Sequence, residues 1–209
     1  MIEVLKNKGW YFGTNEISLE KIQDEITSFT NFDYFLKTNI LTPNKISSAK
    51  LSLSKIYGFN SYPFHTDGVQ YEIPPRFLLL INKTIGHNET KTLLKDGFSL
   101  AESNKSLFFN SIFKIRGNGF KELSPIINKR KVKEHSILRY NPVIMDSIIK
   151  KKKIEINKVI KGTKEIEITW LPKSYLVIDN WRMLHSRTEI TKSENLRAIE
   201  RTEFYIKNI

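Results

Sequence analysis

Apolar residues near the start of the chain recur at the spacing of a helix. The segment Leu19–Phe35 carries this spacing, and Ser18 stands where a side chain can cap the first turn. Its periodic apolar positions are Leu19, Ile22, Ile26 and Phe29. The pattern therefore predicts a helix with one face packed on a core.

The remainder of the chain consists mostly of short runs typical of β-strands. Glu165–Trp170 alternates polar and apolar residues, which is the period of a half-buried strand. A second helix is predicted over Phe98–Phe113. The predicted strands are Arg76–Asn82, Ser136–Tyr140, Glu165–Trp170, Ser174–Asp179, Arg182–Ile190 and Arg197–Lys207. Without a regular strand–helix alternation, the pattern predicts a mainly β fold with flanking helices, a double-stranded β-helix or jelly roll.

Length and composition narrow the class of protein. The 209 residues suit a single domain over 1–209, and the chain contains no cysteine. Cysteine nucleophiles, iron–sulfur clusters and thiolate zinc sites are thereby excluded. No apolar run approaches the roughly 18–20 residues of a membrane span, and the N-terminus lacks a signal-peptide layout. We expect a soluble, cytoplasmic protein without a membrane partner.

The formal net charge of +12 raises the question of a nucleic-acid partner. Most lysines are scattered, and the one dense run, Lys150–Lys153, is interpreted as an ordinary solvated face. The charge therefore leaves nucleic acid as an alternative that the pattern does not favour.

The chain has four histidines, and two of them stand in contexts suited to metal binding. His65 and Asp67 are two residues apart, so on an extended segment both side chains face the same side. His185 comes much later, but a jelly roll brings distant strands together. Two histidines and one carboxylate form a facial triad with open coordination positions, which is typical of non-haem iron(II) oxygenases. His87 and His135 are interpreted as structural residues.

Such a site needs a cosubstrate that chelates the metal, and O₂. A dicarboxylate such as 2-oxoglutarate also needs a cation for its distal carboxylate, and the planar guanidinium of arginine suits this best. Arg197 lies on the strand predicted after the one that carries His185, from where its side chain can reach back into the barrel.

The order of these motifs resembles that of the taurine dioxygenase/clavaminate synthase-like family of Fe(II)- and 2-oxoglutarate-dependent dioxygenases. The resemblance spans about Ser61 to Tyr205, most of the chain. The matching motifs are His65-Thr66-Asp67-Gly68, Pro74-Pro75-Arg76, Leu138-Arg139-Tyr140-Asn141-Pro142, Trp170-Leu171-Pro172, Asp179 to Arg187, and Arg197-Ala198-Ile199-Glu200-Arg201.

The resemblance implies roles for individual residues. His65, Asp67 and His185 would hold Fe(II) and form the catalytic centre. Arg197 and Thr92 would bind 2-oxoglutarate, and Arg201 would line the cosubstrate or substrate pocket. The family's glycine pair before the threonine is absent here, which leaves Thr90 as a rival to Thr92. The glycine that usually follows the distal histidine is Ser186.

We expect a dioxygenase that hydroxylates a C–H bond of a small, amino-acid-like substrate, anionic or zwitterionic, and releases succinate and CO₂. Asp67 favours hydroxylation or desaturation over halogenation, since related halogenases have a small residue there. The stretch Ile112–Glu134 is a candidate substrate loop, and Arg187 a candidate substrate contact. Alternatives are an oxygenase acting on a nucleic acid or protein, a non-catalytic jelly-roll binding protein, and a zinc hydrolase with the same ligand types.

Overall fold

A computed structural model of the chain describes residues 1–43, 52–84, 89–117, 120–132, 135–191, 194 and 196–207. Its helices are α1 Ile2–Lys8, α2 Leu19–Thr30, α3 Leu53–Tyr57, α4 Gly97–Ser103, α5 Lys105–Asn110 and α6 Lys150–Gly162. Its strands are β1 Trp10–Gly13, β2 Tyr34–Leu41, β3 Phe77–Asn82, β4 Thr92–Asp96, β5 Ile112–Gly117, β6 Phe120–Pro125, β7 Ile127–Val132, β8 His135–Leu138, β9 Met145–Ser147, β10 Ile166–Ile168, β11 Tyr175–Asp179, β12 Met183–Arg187 and β13 Ile199–Ile206. No described helix is long and apolar enough to cross a membrane.

The strands form a main sheet and several smaller ones, and every named pairing is antiparallel. The main sheet has the order β1-β11-β3-β13-β2, and a second sheet has the order β10-β4-β12. A third sheet, β6-β5-β9, and the pair β7-β8 complete the β-structure among the described residues. The fold is therefore mainly antiparallel β with helices on its flanks, as the sequence predicts.

The central strand β3 is apolar on both faces because both faces are covered. Phe77 and Leu79 pack with Ile22 and Ile26 of α2 in one buried cluster. The alternate residues, Leu78 and Leu80, pack in another cluster with side chains of the second sheet, including Leu94, Ile168 and Met183. Successive side chains of a strand point to opposite faces, so one apolar run serves two cores.

The first predicted helix begins as expected and ends early. The Ser18 hydroxyl accepts a hydrogen bond from the Lys21 amide at 3.2 Å and caps α2. The helix stops at Thr30 because Asn31 adopts a left-handed conformation, with φ of 55°, and Tyr34 then starts β2. The prediction of helix up to Phe35 is therefore wrong at its end.

Two further expectations differ from the structure, and a third agrees with it. The helix predicted over Phe98–Phe113 is divided into α4 and α5 at Asn104, and Phe113 already belongs to β5. The candidate substrate loop Ile112–Glu134 forms strands β5, β6 and β7 in its described part. The lysine run at Lys150 begins α6, and Lys150 and Lys151 are exposed, in agreement with the solvated face expected there, whereas Ile156 and Ile160 later in the helix are buried.

Candidate metal centre

His65 and His185 lie side by side because their backbones are paired. The His65 amide donates to the His185 carbonyl at 3.0 Å, and the His185 amide donates to the His65 carbonyl at 2.9 Å. His185 is held from the other side by β4, where it pairs with Leu94. The ring centroids of the two histidines are consequently 4.3 Å apart.

The two imidazoles and the Asp67 carboxylate converge on one point. Nε2 of His65 lies 3.5 Å from Oδ1 of Asp67, and Nε2 of His185 lies 3.8 Å from Oδ2. One ligand atom from each of the three residues lies within 4.8 Å of the others. In the part of the chain that the structure describes, no other group of three histidine or acidic side chains is this compact.

The protonation states of these residues suit a cation. Nδ1 of His65 lies 2.9 Å from the Pro63 carbonyl, which leaves Nε2 with its lone pair towards the site when Nδ1 carries the proton. Burial, and then the neighbouring His65, lower the pKa of His185 to about 3, so its imidazole is neutral at pH 7. Burial by itself raises the pKa of Asp67, but its interactions with Arg201, His65 and His185 together outweigh burial and leave this pKa lowered. Two imidazoles and one carboxylate are the ligand types of an Fe(II) facial triad.

Asp67 is positioned through its own backbone by Asn180. The Asp67 amide donates to Oδ1 of Asn180 at 2.8 Å, and Nδ2 of Asn180 donates to the Asp67 carbonyl at 3.0 Å. The same Nδ2 donates to the Pro75 carbonyl at 2.8 Å. Gly68 follows with a φ of +71°, and a Cβ there would lie 2.5 Å from Cδ of Pro75. The segment that carries the carboxylate is thus fixed on both sides of Asp67.

Arg201, expected to line the pocket, lies against the triad itself. Its Nη1 is 2.9 Å from Oδ2 of Asp67, and its Nη2 is 3.2 Å from Oε1 of Glu203. Burial lowers the pKa of Arg201, but the two carboxylates outweigh burial and raise it above the usual value. The guanidinium therefore stays charged beside the site.

Arg197 is buried, with 6% of its surface exposed, and its Nε has no hydrogen-bond partner among the described residues. It lies in the turn before β13, two residues ahead of Ile199, so its predicted place on the strand is wrong. Its amide donates to the Glu194 carbonyl at 2.9 Å, which closes this turn. Burial, and then the nearby Arg187, lower the pKa of Arg197 to about 10. A buried cation with an unused donor suits an anionic ligand.

The structure distinguishes between Thr90 and Thr92, the two threonines that the sequence leaves as candidates for binding 2-oxoglutarate. The Thr90 hydroxyl donates to Oε2 of Glu194 at 2.7 Å, and its amide donates to Oε1 at 3.0 Å. The Thr92 hydroxyl accepts a hydrogen bond from Nε1 of Trp170 at 3.1 Å. A hydroxyl that accepts still has its own proton to donate. Thr92 therefore keeps a donor for a ligand, whereas Thr90 uses its donor within the protein.

The side chain of Arg187, a candidate substrate contact, binds to other residues of the protein. Its Nη2 donates to the carbonyls of Gly58 at 2.7 Å and Asn60 at 2.9 Å, and its guanidinium lies 4.0 Å from the centroid of the Tyr62 ring. These contacts hold the segment that leads to His65. His135, interpreted as structural, begins β8. His87 lies outside the described residues.

Glu203 is a site residue that the sequence analysis did not select. Its carboxylate is buried and contacts Arg201 and the Tyr205 hydroxyl. Burial raises its pKa above the usual value, although Arg201 opposes this. The signal that could have identified it is the spacing: it lies two residues after Arg201 on one strand, and hence on the same face.

A surface cavity of about 480 Å³ lies elsewhere, between the α1–β1 region and β10. Its lining contains no histidine, and its one acidic residue, Glu167, is paired with Lys91. The cavity shares no residue with the His65–Asp67–His185 triad. It therefore offers no alternative metal centre.

Comparison with known proteins identifies the fold. No family model matches the chain, and no curated protein matches it significantly. Among solved structures, a taurine dioxygenase from Burkholderia xenovorans matches with a TM-score of 0.68 and 13% identity, covering 99% of this chain and 80% of that one. PvcB, an Fe, alpha-ketoglutarate dependent oxygenase from an isonitrile synthetic pathway, matches with a TM-score of 0.63 and 15% identity, covering 97% and 77%.

An asparagine oxygenase in complex with Fe(II), 3-hydroxyasparagine and succinate matches with a TM-score of 0.62 and 15% identity, covering 79% of this chain. The matched part is 56% of the length of that oxygenase, so this chain spans little more than half of it. At such identities the likeness concerns the fold. The chain has the fold of the iron- and 2-oxoglutarate-dependent oxygenases represented by taurine dioxygenase.

Proposed function

We propose that the protein is an Fe(II)- and 2-oxoglutarate-dependent dioxygenase that hydroxylates a C–H bond of a small substrate. The single observation that carries this proposal is the convergence of His65, Asp67 and His185 on one point, within 4.8 Å of one another. As part of the proposal, residues 1–209 form one domain built on a double-stranded β-helix, or jelly roll. The protein is further proposed to act in the cytoplasm.

The three side chains would bind the ion through two imidazole nitrogens and one carboxylate oxygen. Such a triad occupies one face of the metal and leaves the other positions to 2-oxoglutarate and O₂. When bound there, Fe(II), 2-oxoglutarate and O₂ supply the oxidising chemistry that hydroxylates the substrate and releases succinate and CO₂. The protein's task is to hold the ligands, anchor the cosubstrate and place the substrate.

Arg197 and Thr92 are the proposed anchors for the distal carboxylate of 2-oxoglutarate. In support, Arg197 is buried with Nε unpaired among the described residues, and Thr92 has a hydroxyl proton to donate. A charge-assisted pair between a guanidinium and a carboxylate is stronger than a neutral hydrogen bond. Pairing with this carboxylate would also offset the unfavourable burial of the positively charged Arg197 side chain.

The central experiment measures Fe(II) affinity and iron-dependent succinate formation from 2-oxoglutarate across a panel of candidate small substrates. We expect His65→Ala and Asp67→Ala to lose both properties, because each removes one of three ligands. His135→Gln is the matched control, since His135 is exposed at the start of β8 and lies outside the triad. Full succinate release by either triad variant would contradict the proposal.

A second experiment tests the cosubstrate anchor. Arg197→Ala should raise the 2-oxoglutarate concentration needed for half-maximal rate, with a loss of about 2–5 kcal/mol for a buried charge pair. Arg116→Ala removes an arginine whose side chain is 53% exposed and serves as the control. An unchanged requirement in Arg197→Ala would assign the anchor to another residue.

A further inference from the structure

One face of β13 continues from the triad towards solvent. Arg201, Glu203 and Tyr205 alternate along this strand and so share that face. Their Cα partners on the edge strand β2 are Asn39, Lys37 and Phe35. Because Arg201 contacts Asp67, this row of side chains begins at the candidate metal centre and runs away from it along the sheet.

Three aromatic rings gather at the outer end of this row. Phe35 stacks on Tyr205 with centroids 5.1 Å apart and an interplanar angle of 12°. Tyr71 meets Tyr205 edge-on at 5.9 Å and 82°. Phe35 is 41% exposed and Tyr71 39% exposed, so both rings are open to a ligand from solvent. We call Phe35, Tyr71 and Tyr205 the aromatic cage.

The aromatic cage already surrounds an ammonium group. Nζ of Lys37 lies 4.8 Å from the centroid of Tyr205, 5.7 Å from that of Tyr71 and 5.8 Å from that of Phe35. Cations within about 6 Å of a ring centroid are attracted by the negative face of the ring. Lys37 is exposed and carried on a flexible stem, so it can leave when another cation binds.

A buried carboxylate adjoins the aromatic cage on the side of the metal centre. The Tyr205 hydroxyl donates to Oε2 of Glu203 at 3.1 Å, while Oε1 of Glu203 faces Arg201. Arg201 is also paired with Asp67, so it is shared between two carboxylates. The charge of Glu203 is therefore only partly balanced, which favours a cation in the aromatic cage.

We propose that the substrate carries an ammonium group, primary or methylated, which enters the aromatic cage beside Glu203 and displaces the ammonium of Lys37. This inference rests on the proposed function, because it places the reacting part of the substrate at the triad. It narrows the substrate class to amines, betaine-like molecules and amino acids bound through their cationic end. Arg201 and Glu203, which lie between the aromatic cage and Asp67, would then contact the part of the substrate that joins its ammonium group to the carbon that is oxidised.

The test uses tetramethylammonium as a probe and tert-butanol as a neutral molecule of similar size. Binding to the metal-free protein is followed by calorimetry and by tyrosine fluorescence. We expect Lys37→Met to bind tetramethylammonium about tenfold more tightly than the unmodified protein, because the competing ammonium is gone. The control Lys105→Met removes an exposed lysine that pairs with Glu102, and it should leave the affinity for tetramethylammonium unchanged.

Removing a ring from the aromatic cage should have the opposite effect and lower the affinity for tetramethylammonium. In the Lys37→Met background, Tyr71→Leu removes an exposed ring and should reverse most of the gain, whereas tert-butanol should bind weakly to all variants. Equal affinity of Lys37→Met and the unmodified protein for tetramethylammonium would overturn the proposal. Equal binding of the two probes would do the same.

The binding test needs neither iron nor turnover, so it separates the two proposals. If tetramethylammonium binds as expected but no amine stimulates succinate formation in the Fe(II)-loaded protein, the cation subsite stands and the proposed function fails. If succinate forms with substrates that lack a cationic group and the probe does not bind, the proposed function stands and the cation subsite fails.

Discussion

The Asn180→Ala substitution tests whether the metal ligands depend on the backbone that carries them. Asn180 is fully buried, and its side chain makes three hydrogen bonds, two with the backbone of Asp67 and one with that of Pro75. Alanine removes all three and leaves one amide and two carbonyls without these partners. The change touches no side chain of the triad directly.

The expected magnitude follows from these bonds. A buried hydrogen bond contributes about 1 kcal/mol net, so losing three costs about 3 kcal/mol of unfolding free energy. A typical domain has an unfolding free energy of about 5–15 kcal/mol, and the variant should therefore still fold. Loosening the segment of Asp67 should also lower metal affinity by about 10- to 100-fold, the usual effect of removing a group that orients a ligand.

Urea unfolding and anaerobic Fe(II) titration measure the two effects. Asn82→Ala is the matched control: this asparagine is also buried, with hydrogen bonds to Leu171 and Thr84 and none to the triad. The control should lose stability but keep its metal affinity. The reasoning is refuted if Asn180→Ala binds Fe(II) as tightly as the unmodified protein.

Three further substitutions test other parts of the fold. Gly68→Ala should lower stability by about 1–2 kcal/mol and weaken metal binding, since φ is +71° and the new Cβ would press on Pro75; thermal melting and Fe(II) titration measure this. Burial raises the pKa of Asp96, but its two hydrogen bonds from Arg182 and those from Ser99 together outweigh burial and lower this pKa. A lowered folded-state pKa stabilises the fold above the unfolded value of about 3.9, and that contribution disappears as the pH falls through the folded value. Asp96→Asn should therefore be less stable at neutral pH and lose less on acidification, as measured by urea unfolding at a series of pH values. Lys95 is buried and donates to two carbonyls at the C-terminal end of α6, so Lys95→Met should cost about 2–3 kcal/mol and reduce hydrogen-exchange protection in that helix.

The sequence predicts the strands that are covered on both faces or alternate clearly, such as β3 and β11. It does not predict β2, which was assigned partly to a helix. β2 is an edge strand with several exposed residues, including Lys37 and Ile40, and so lacks a clear period of two. Helix α6 was missed because its first turn consists of lysines, and its buried residues, Ile156 and Ile160, come later.

The residues of the candidate site were likewise predicted only in part from the sequence. His65, Asp67 and His185 were selected from local spacing and motif order, and the structure brings them together. Asn180 was covered only as part of the matching motif Asp179 to Arg187, and its contact with Asp67 was not predicted because these hydrogen bonds join positions far apart in the chain. Arg197 was placed on a strand that in fact begins two residues later. Such contacts depend on how strands are arranged in space, which local patterns do not encode.

The reciprocal backbone bonds between His65 and His185 have a consequence for how the proposed metal centre would acquire an ion. Since the polypeptide itself sets the spacing of the imidazoles, coordination does not have to supply the free energy that orders this region. The centre can then be emptied and refilled without unfolding, in contrast to small zinc domains that collapse when chelated. Under the proposed function, iron supply would then control the activity of a protein that is already folded.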